Sequence, residues 1–244
     1  MSSIADPPLL LRLADVRSGY GETEILHGVS IQVHEGETVV ILGPNGHGKT
    51  TLLRTISGLL PIRGGEIVLG SARLNGRSPD AIVGLGIIHI PQADLLFPEM
   101  SVLENLLMGA YRAQAWAHRH SRLREIYAIF PRLEERQTQL ARTLSGGERR
   151  MLAIGRGLMG EGNLLMIDEP SLGLAPVIIE ELYRRIGEIK TLGRAILLVE
   201  ESAAHVEGLA DRVYLLETGQ VIREGRPQDL LSDDALLRTY LGIG

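Results

Sequence analysis

The run Gly43-Pro44-Asn45-Gly46-His47-Gly48-Lys49-Thr50 stands between an apolar, β-branched stretch, Thr38 to Leu42, and a helical pattern that begins at Thr51. It fits GxxxxGK[ST] in the context where that pattern has physical meaning: a strand that turns tightly into a helix. The glycines allow a fold in which successive N–H groups and the helix N-terminus converge on phosphate oxygens, and the helix dipole adds a favourable field. Lys49 is expected to reach the β and γ phosphates, and Thr50 to offer its hydroxyl to Mg²⁺. His47 stands where only a backbone N–H is required, so its side chain is expected to be incidental rather than catalytic. A Gly-rich turn without a ligand would share the pattern, but here strand, loop, Lys, Thr and helix fall in the order a phosphate cradle needs.

Such a cradle belongs to an α/β sheet, and the rest of the chain alternates accordingly. Strands are expected at Val29 to Val33, Thr38 to Leu42, Ile67 to Leu69, Ile87 to Ile90, Leu164 to Ile167, Ala195 to Val199 and Val213 to Leu216. Helical periodicity covers 50–58, 101–110, 120–130, 147–159, 176–190 and 202–209, with Gly and Pro between them. Between about Ala93 and Arg150 the strand-like runs stop and Arg-rich helical sequence containing Trp116 takes over, which reads as an inserted helical segment. The charges at 119–136 read individually as the solvated face of surface helices.

At 244 residues the chain is long enough for a substantial core as one unit. It has no cysteine, which removes disulfides, thiolate metal sites and cysteine nucleophiles and suits a reducing cytoplasm. A net charge of −5 does not favour a polyanion, so no nucleic-acid partner is expected. No apolar run approaches the roughly 18 to 20 residues of a spanning helix, and membrane contact is expected to be peripheral.

Leu164-Leu165-Met166-Ile167-Asp168-Glu169 is an apolar strand ending in two acids, where ligands bind outside the carboxyl ends of parallel strands. Asp168 is suited to hold Mg²⁺ through water, and Glu169 to polarise the attacking water as general base or water-positioning group. A buried strand meeting a solvated acidic turn looks the same in isolation; the cradle upstream favours the catalytic reading. Leu144-Ser145-Gly146-Gly147-Glu148 is a second Gly-rich turn before a helix, an anion site of the same kind.

The order of GxxxxGKT, LSGGE and the strand ending in Asp-Glu resembles the ATP-binding-cassette ATPases over about Leu9 to Gly225. The resemblance implies a P-loop α/β fold: a RecA-like core (9–92 and 151–225), an antiparallel β subdomain, an inserted α-helical subdomain (93–150) and a short helical tail (226–244). It also implies ATP and Mg²⁺ as ligands, with Ser145, Gly146, Gly147 and Glu148 of one subunit closing over the γ-phosphate held by another. Tyr20 resembles the aromatic that stacks on adenine, and Gln92 the glutamine that senses Mg²⁺ and water; as bare residues they would be packing and an uninformative amide. The cradle residues Gly43, Pro44, Asn45, Gly46, His47, Gly48, Lys49, Thr50 and Thr51 complete the nucleotide contacts. Phe97 to Asn105 resembles the surface onto which a permease docks, while Ser101 and Glu104 also read as a capping box.

Two departures narrow the resemblance. Ser171-Leu172-Gly173-Leu174-Ala175-Pro176 lacks the aspartate common after the Asp-Glu strand, and Glu201 stands where most cassettes have a switch histidine. A carboxylate near a γ-phosphate is repelled unless protonated, turned outward or held by a cation. Both departures look like the subgroup serving branched-chain amino acid and related amide or urea importers, although that subgroup usually has glutamine at this position. It implies a cytoplasmic subunit on the inner face of the membrane, two permease chains, a second cassette and an external solute-binding protein. A soluble cassette of repair, translation or cluster assembly is the alternative, and the absence of long heptads or a duplicated cassette weighs against it.

Overall fold

The structure, a computed structural model, describes residues 7–231. From the N-terminus run β1 (Leu9–Tyr20), β2 (Thr23–His34), β3 (Thr38–Leu42), α1 (Lys49–Ile56), β4 (Gly64–Leu69), β5 (Ala72–Arg73), α2 (Pro79–Gly84) and β6 (Ile87–Ile90). There follow α3 (Val102–Gly109), α4 (Ala113–Ala117), α5 (Arg119–Ile129), α6 (Pro131–Glu135) and α7 (Gly146–Leu158). The chain returns to the sheet with β7 (Leu164–Asp168), α8 (Pro176–Lys190), β8 (Ala195–Glu200), β9 (Arg212–Glu217), β10 (Gln220–Gly225) and α9 (Pro227–Leu231).

Every residue of β3, β7 and β8 is buried, as expected of strands covered on both faces. They form the centre of a six-stranded sheet of order β10-β9-β3-β8-β7-β6, parallel throughout except for the β9–β10 hairpin. Alternate side chains feed different cores, because successive Cβ atoms leave a strand on opposite faces. Val40, Leu42, Leu165, Ile167, Ile196 and Leu198 meet the helical segment and α8. Val39, Ile41, Leu164, Met166, Leu197 and Val199 meet α1 and the antiparallel sheet β2-β1-β4-β5.

Each expected strand lies within an observed one. Long β1 was not anticipated: its pattern is broken by irregular pairing between Leu13 and Val16, with Asp15 in the left-handed region at φ 51°. The helix expected at 202–209 is a correction, since that stretch forms successive turns. Val206 and Leu209 bond back three residues, to Ala203 and Val206, and Gly208 takes φ 84°, so buried side chains recur every three residues without an α-helix. The border drawn between 150 and 151 falls inside α7, which is continuous from Gly146 to Leu158. Of the tail, residues 232–244 lie outside the described residues.

Candidate nucleotide site

Strand pairing sets Leu42 beside Glu200 and Asp168 beside Val199, so the loops leaving β3, β8 and β7 emerge together at one sheet edge. This is where ligands of parallel α/β sheets bind. Gly43 is required there, because a Cβ would lie 2.2 Å from the Leu216 carbonyl oxygen of β9. Gly48 caps α1 at φ 105°, a conformation that costs any residue with a Cβ. The first N–H groups of α1, from Lys49, Thr50 and Thr51, have no carbonyl one turn earlier within the helix and form the anion-facing end of the cradle.

Lys49 is 3% exposed and its ammonium is fully engaged. Nζ donates to Gly43 O at 2.7 Å and Pro44 O at 3.1 Å, and stands 2.9 Å from Glu169 Oε1. The other Glu169 oxygen, Oε2, accepts from Gln92 Nε2 at 2.8 Å. The loop after β6, the loop after β7 and the cradle are thus joined through one carboxylate. Glu169 holds this place with φ 42°, an uncommon backbone for a non-glycine residue and of the kind that concentrates at functional sites.

Thr50 Oγ1 donates to Asp168 Oδ1 at 3.1 Å, while buried Asp168 Oδ2 has no partner. Burial pushes the Asp168 carboxyl up to about 6, the Thr50 hydrogen bond opposes this, and the Glu169 charge adds to it. A hydroxyl beside a buried carboxylate with one unused oxygen fits an oxygen-preferring divalent cation such as Mg²⁺. Among the described residues there is no group of three or more His, Cys, Asp or Glu suited to a metal, so such a cation would need phosphate and water oxygens as well.

The other expected residues divide. Asn45 Nδ2 donates to Glu201 Oε2 at 2.8 Å, so the carboxylate at the switch position is turned onto the cradle's own amide. His47 has structural partners: its Nδ1 accepts from Thr218 N–H at 3.1 Å, and its carbonyl accepts from Gly219 N–H at 3.0 Å, which ties the cradle to the β9–β10 turn. Tyr20, 42% exposed, closes β1, and its hydroxyl accepts from Arg54 of α1 at 3.1 Å. Ser145 and Glu148 form a capping box on α7, with Glu148 also 2.9 Å from Arg136. Within the single chain, no hydrogen bond or ion pair among the described residues joins them to Lys49, Asp168 or Glu169.

Glu200 carried no assignment in the sequence, yet it is 2% exposed and accepts hydrogen bonds from Ser171 and Tyr183 at this same edge. An acid closing the apolar run AILLV is the signal that could have marked it.

The arrangement can hold a polyphosphate against α1, place a cation at Thr50 and Asp168, and aim a carboxylate at water. Comparison with known proteins agrees. The ABC transporter family matches residues 26–172. The chain is 38% identical over 233 residues to the high-affinity branched-chain amino acid transport ATP-binding protein BraG of Pseudomonas aeruginosa, covering 96% of this chain and 100% of that protein. It is 34% identical to a probable branched-chain amino acid transport ATP-binding protein LivF of Archaeoglobus fulgidus, covering 96% and 99%. A cassette of an ABC transporter in its ADP conformation superposes with a TM-score of 0.82 at 29% identity, over 95% of this chain and 98% of that one. A dimeric cassette in a post-hydrolysis state with ADP and Pi gives 0.76 at 25%, over 89% and 99%. With the cradle, the paired acids and these likenesses in agreement, the chain belongs to the ABC transporter family, as an ATP-binding cassette that hydrolyses ATP to drive transport.

Proposed function

We propose that this chain is the motor subunit of an importer for branched-chain amino acids or related small amide or urea solutes. On this reading it works on the cytoplasmic face of the membrane, bound to two permease chains, with a second cassette completing each ATP site and an external solute-binding protein delivering cargo. The observation that carries the hydrolytic part is the chain Gln92–Glu169–Lys49 beside the pair Thr50–Asp168. Lys49 and the N–H groups of α1 hold the triphosphate tail. Mg²⁺, when bound, supplies charge neutralisation on the phosphate oxygens, with Thr50, Asp168 and Gln92 as the residues of this chain that would hold it or its waters. Glu169 polarises the attacking water, as general base or by positioning it, and Gln92 on Oε2 leaves Oε1, which Lys49 holds in the nucleotide-free chain, as the oxygen for that water.

A groove of about 400 Å³ between the sheet edge and the helical segment supports permease docking. Leu95 is 66% exposed, and Phe97, Met108 and Tyr111 also leave apolar surface in the open there. The wall is rigid for a polar reason. Buried Asn105 of α3 donates to the carbonyls of Phe97, Met100 and Ser101 and accepts from Phe97 N–H, so the 97–101 loop is fixed to the helix. The Ser145–Glu148 turn, satisfied by its own helix cap and separate from Lys49, suits a role toward a second copy or a sister cassette.

Glu169→Gln protein, purified in mild detergent from its native membranes with ATP and Mg²⁺, tests this reading. Co-purification of permease chains and a second cassette, with near-abolished phosphate release, is expected. Recovery alone or with ribosomes or nucleases would remove the transporter assignment, and normal phosphate release would remove Glu169 from its role.

A further inference from the structure

Glu200, the last residue of β8, is a buried acid that the chemistry above leaves unused. Burying a carboxylate is costly unless local donors compensate it, and four surround this one. Oε1 accepts from Ser171 N–H at 3.3 Å and from the Tyr183 hydroxyl; Oε2 accepts from Ser171 Oγ at 3.1 Å and from Glu201 N–H at 3.3 Å. Tyr183 of α8 is braced in turn by His205, whose ring stacks on it at 4.7 Å between centroids. The Glu200 carbonyl accepts from Gly43 N–H at 3.3 Å. One residue therefore joins the first glycine of the cradle, the loop after Glu169 and the switch position.

The loop it grips is the strained one. A left-handed backbone is costly for a residue with a Cβ and persists only where the surroundings fix it. Glu169, at φ 42°, is fixed on one side by its own N–H, which donates to Val199 O at 3.0 Å. On the other side Pro170 leads directly to Ser171, whose N–H and hydroxyl both bond the Glu200 carboxylate. Consecutive residues of β8 thus clamp the chain before and after the turn. Without the second clamp the turn can relax toward a right-handed backbone, which swings the Glu169 carboxylate away from Lys49 and Gln92.

We propose that Glu200 is a positioning residue for ATP hydrolysis: by holding Ser171 it maintains the left-handed turn that aims Glu169 at the attacking water. Glu200 acts without touching the nucleotide, and the inference rests on Glu169 being the water-polarising group. The full-length variants Ser171→Ala, Glu200→Ala and Glu200→Gln test it, with Glu169→Gln as control. The readouts are kcat and KM for ATP, Kd for a non-hydrolysable ATP analogue, and Tm. Misaiming a reacting group by about an ångström lowers rate far more than affinity, so kcat should fall about 10- to 100-fold in Ser171→Ala and Glu200→Ala. KM and Kd should stay within about twofold, since binding determinants are untouched. Glu200→Gln keeps an acceptor oxygen and nearly the same shape, and its kcat should lie between that of Glu200→Ala and wild type. Should Glu200→Ala fail to fold, Ser171→Ala and Glu200→Gln still decide, because both leave the Tyr183 hydroxyl a partner. Wild-type kcat in Ser171→Ala, or loss of kcat only in proportion to loss of folded protein, overturns the positioning role. If Glu169→Gln is inactive while Ser171→Ala and Glu200→Ala turn over normally, only this inference falls; if Glu169→Gln is fully active, the reading of Glu169 falls with it.

Discussion

Asp168 should make the nucleotide-free protein less stable than it would be without that charge, and the size of the effect follows from its surroundings. Its carboxyl rises from 3.8 to about 6, chiefly through burial, and its Oδ2 has no partner. At roughly 1.4 kcal/mol per pH unit, this is a penalty of about 3 kcal/mol once both states are ionised. The sign is set by proton binding. Between pH 3.8 and about 6 the folded state holds a proton that the unfolded chain has released, so stability falls as pH rises through that window. The full penalty is present above it. Asp168→Asn removes the charge and keeps an oxygen for the Thr50 hydroxyl, but leaves a buried amide unpaired at a cost of about 1 kcal/mol. The net gain at pH 8 is then about 2 kcal/mol, or about 4–8 °C in Tm for a chain of this size. At pH 5 about half of the ionisation penalty remains, and the gain should shrink to under about 1 kcal/mol. Thermal denaturation of both proteins without nucleotide and with a chelator, at pH 8 and pH 5, measures this. A variant less stable than wild type at pH 8, or a gap that does not narrow at pH 5, would refute the reasoning.

Gly43→Ala places a Cβ 2.2 Å from Leu216 O, and forcing the cradle and β9 apart should cost about 1–3 kcal/mol and weaken ATP binding; a wild-type Tm and KM would show that the contact yields freely. Glu201→Gln keeps an acceptor for Asn45 Nδ2 but removes a negative charge beside the cradle, so KM for ATP should fall about two- to fivefold, the range for an exposed charge interaction. That gain should fade at high ionic strength, and a KM independent of both charge and salt would mean that Glu201 faces away from the phosphates throughout the cycle.

The residues of the candidate site are easier to read in the sequence than the architecture that supports them. GPNGHGKT and the strand ending in Asp-Glu stand out in the sequence because the residues of the proposed cradle lie next to one another in the chain and obey a spacing the backbone imposes. The central strands were legible for a similar reason: runs such as TVVIL admit little but burial on both faces. The segment 202–209 misled because buried residues spaced by three satisfy helical periodicity and successive turns equally well. Glu200, Ser171 and Tyr183 stayed hidden because their association depends on β8 lying beside β7 and on α8 packing back, neither of which any local pattern encodes. His47 belongs with them, since its partner at Thr218 is brought near only by the pairing of β3 with β9.

On the proposed function, the state of Lys49 links nucleotide binding to the release of Glu169. An ammonium has three donors, and in the free chain all three have partners: Gly43 O, Pro44 O and Glu169. A γ-phosphate that claims Lys49 must displace at least one of them. The two carbonyls belong to the cradle that the phosphate enters, and Glu169 is an anion that the phosphate repels, so Glu169 is the partner that leaves. Once released, it loses the ammonium that occupied Oε1, while Gln92 keeps hold of the opposite oxygen and preserves its direction. The same event that loads the cradle therefore frees one oxygen of this carboxylate. Until a triphosphate arrives, the Lys49–Glu169 pair keeps that oxygen occupied, and the left-handed turn at Glu169 holds the carboxylate between Lys49 and Gln92.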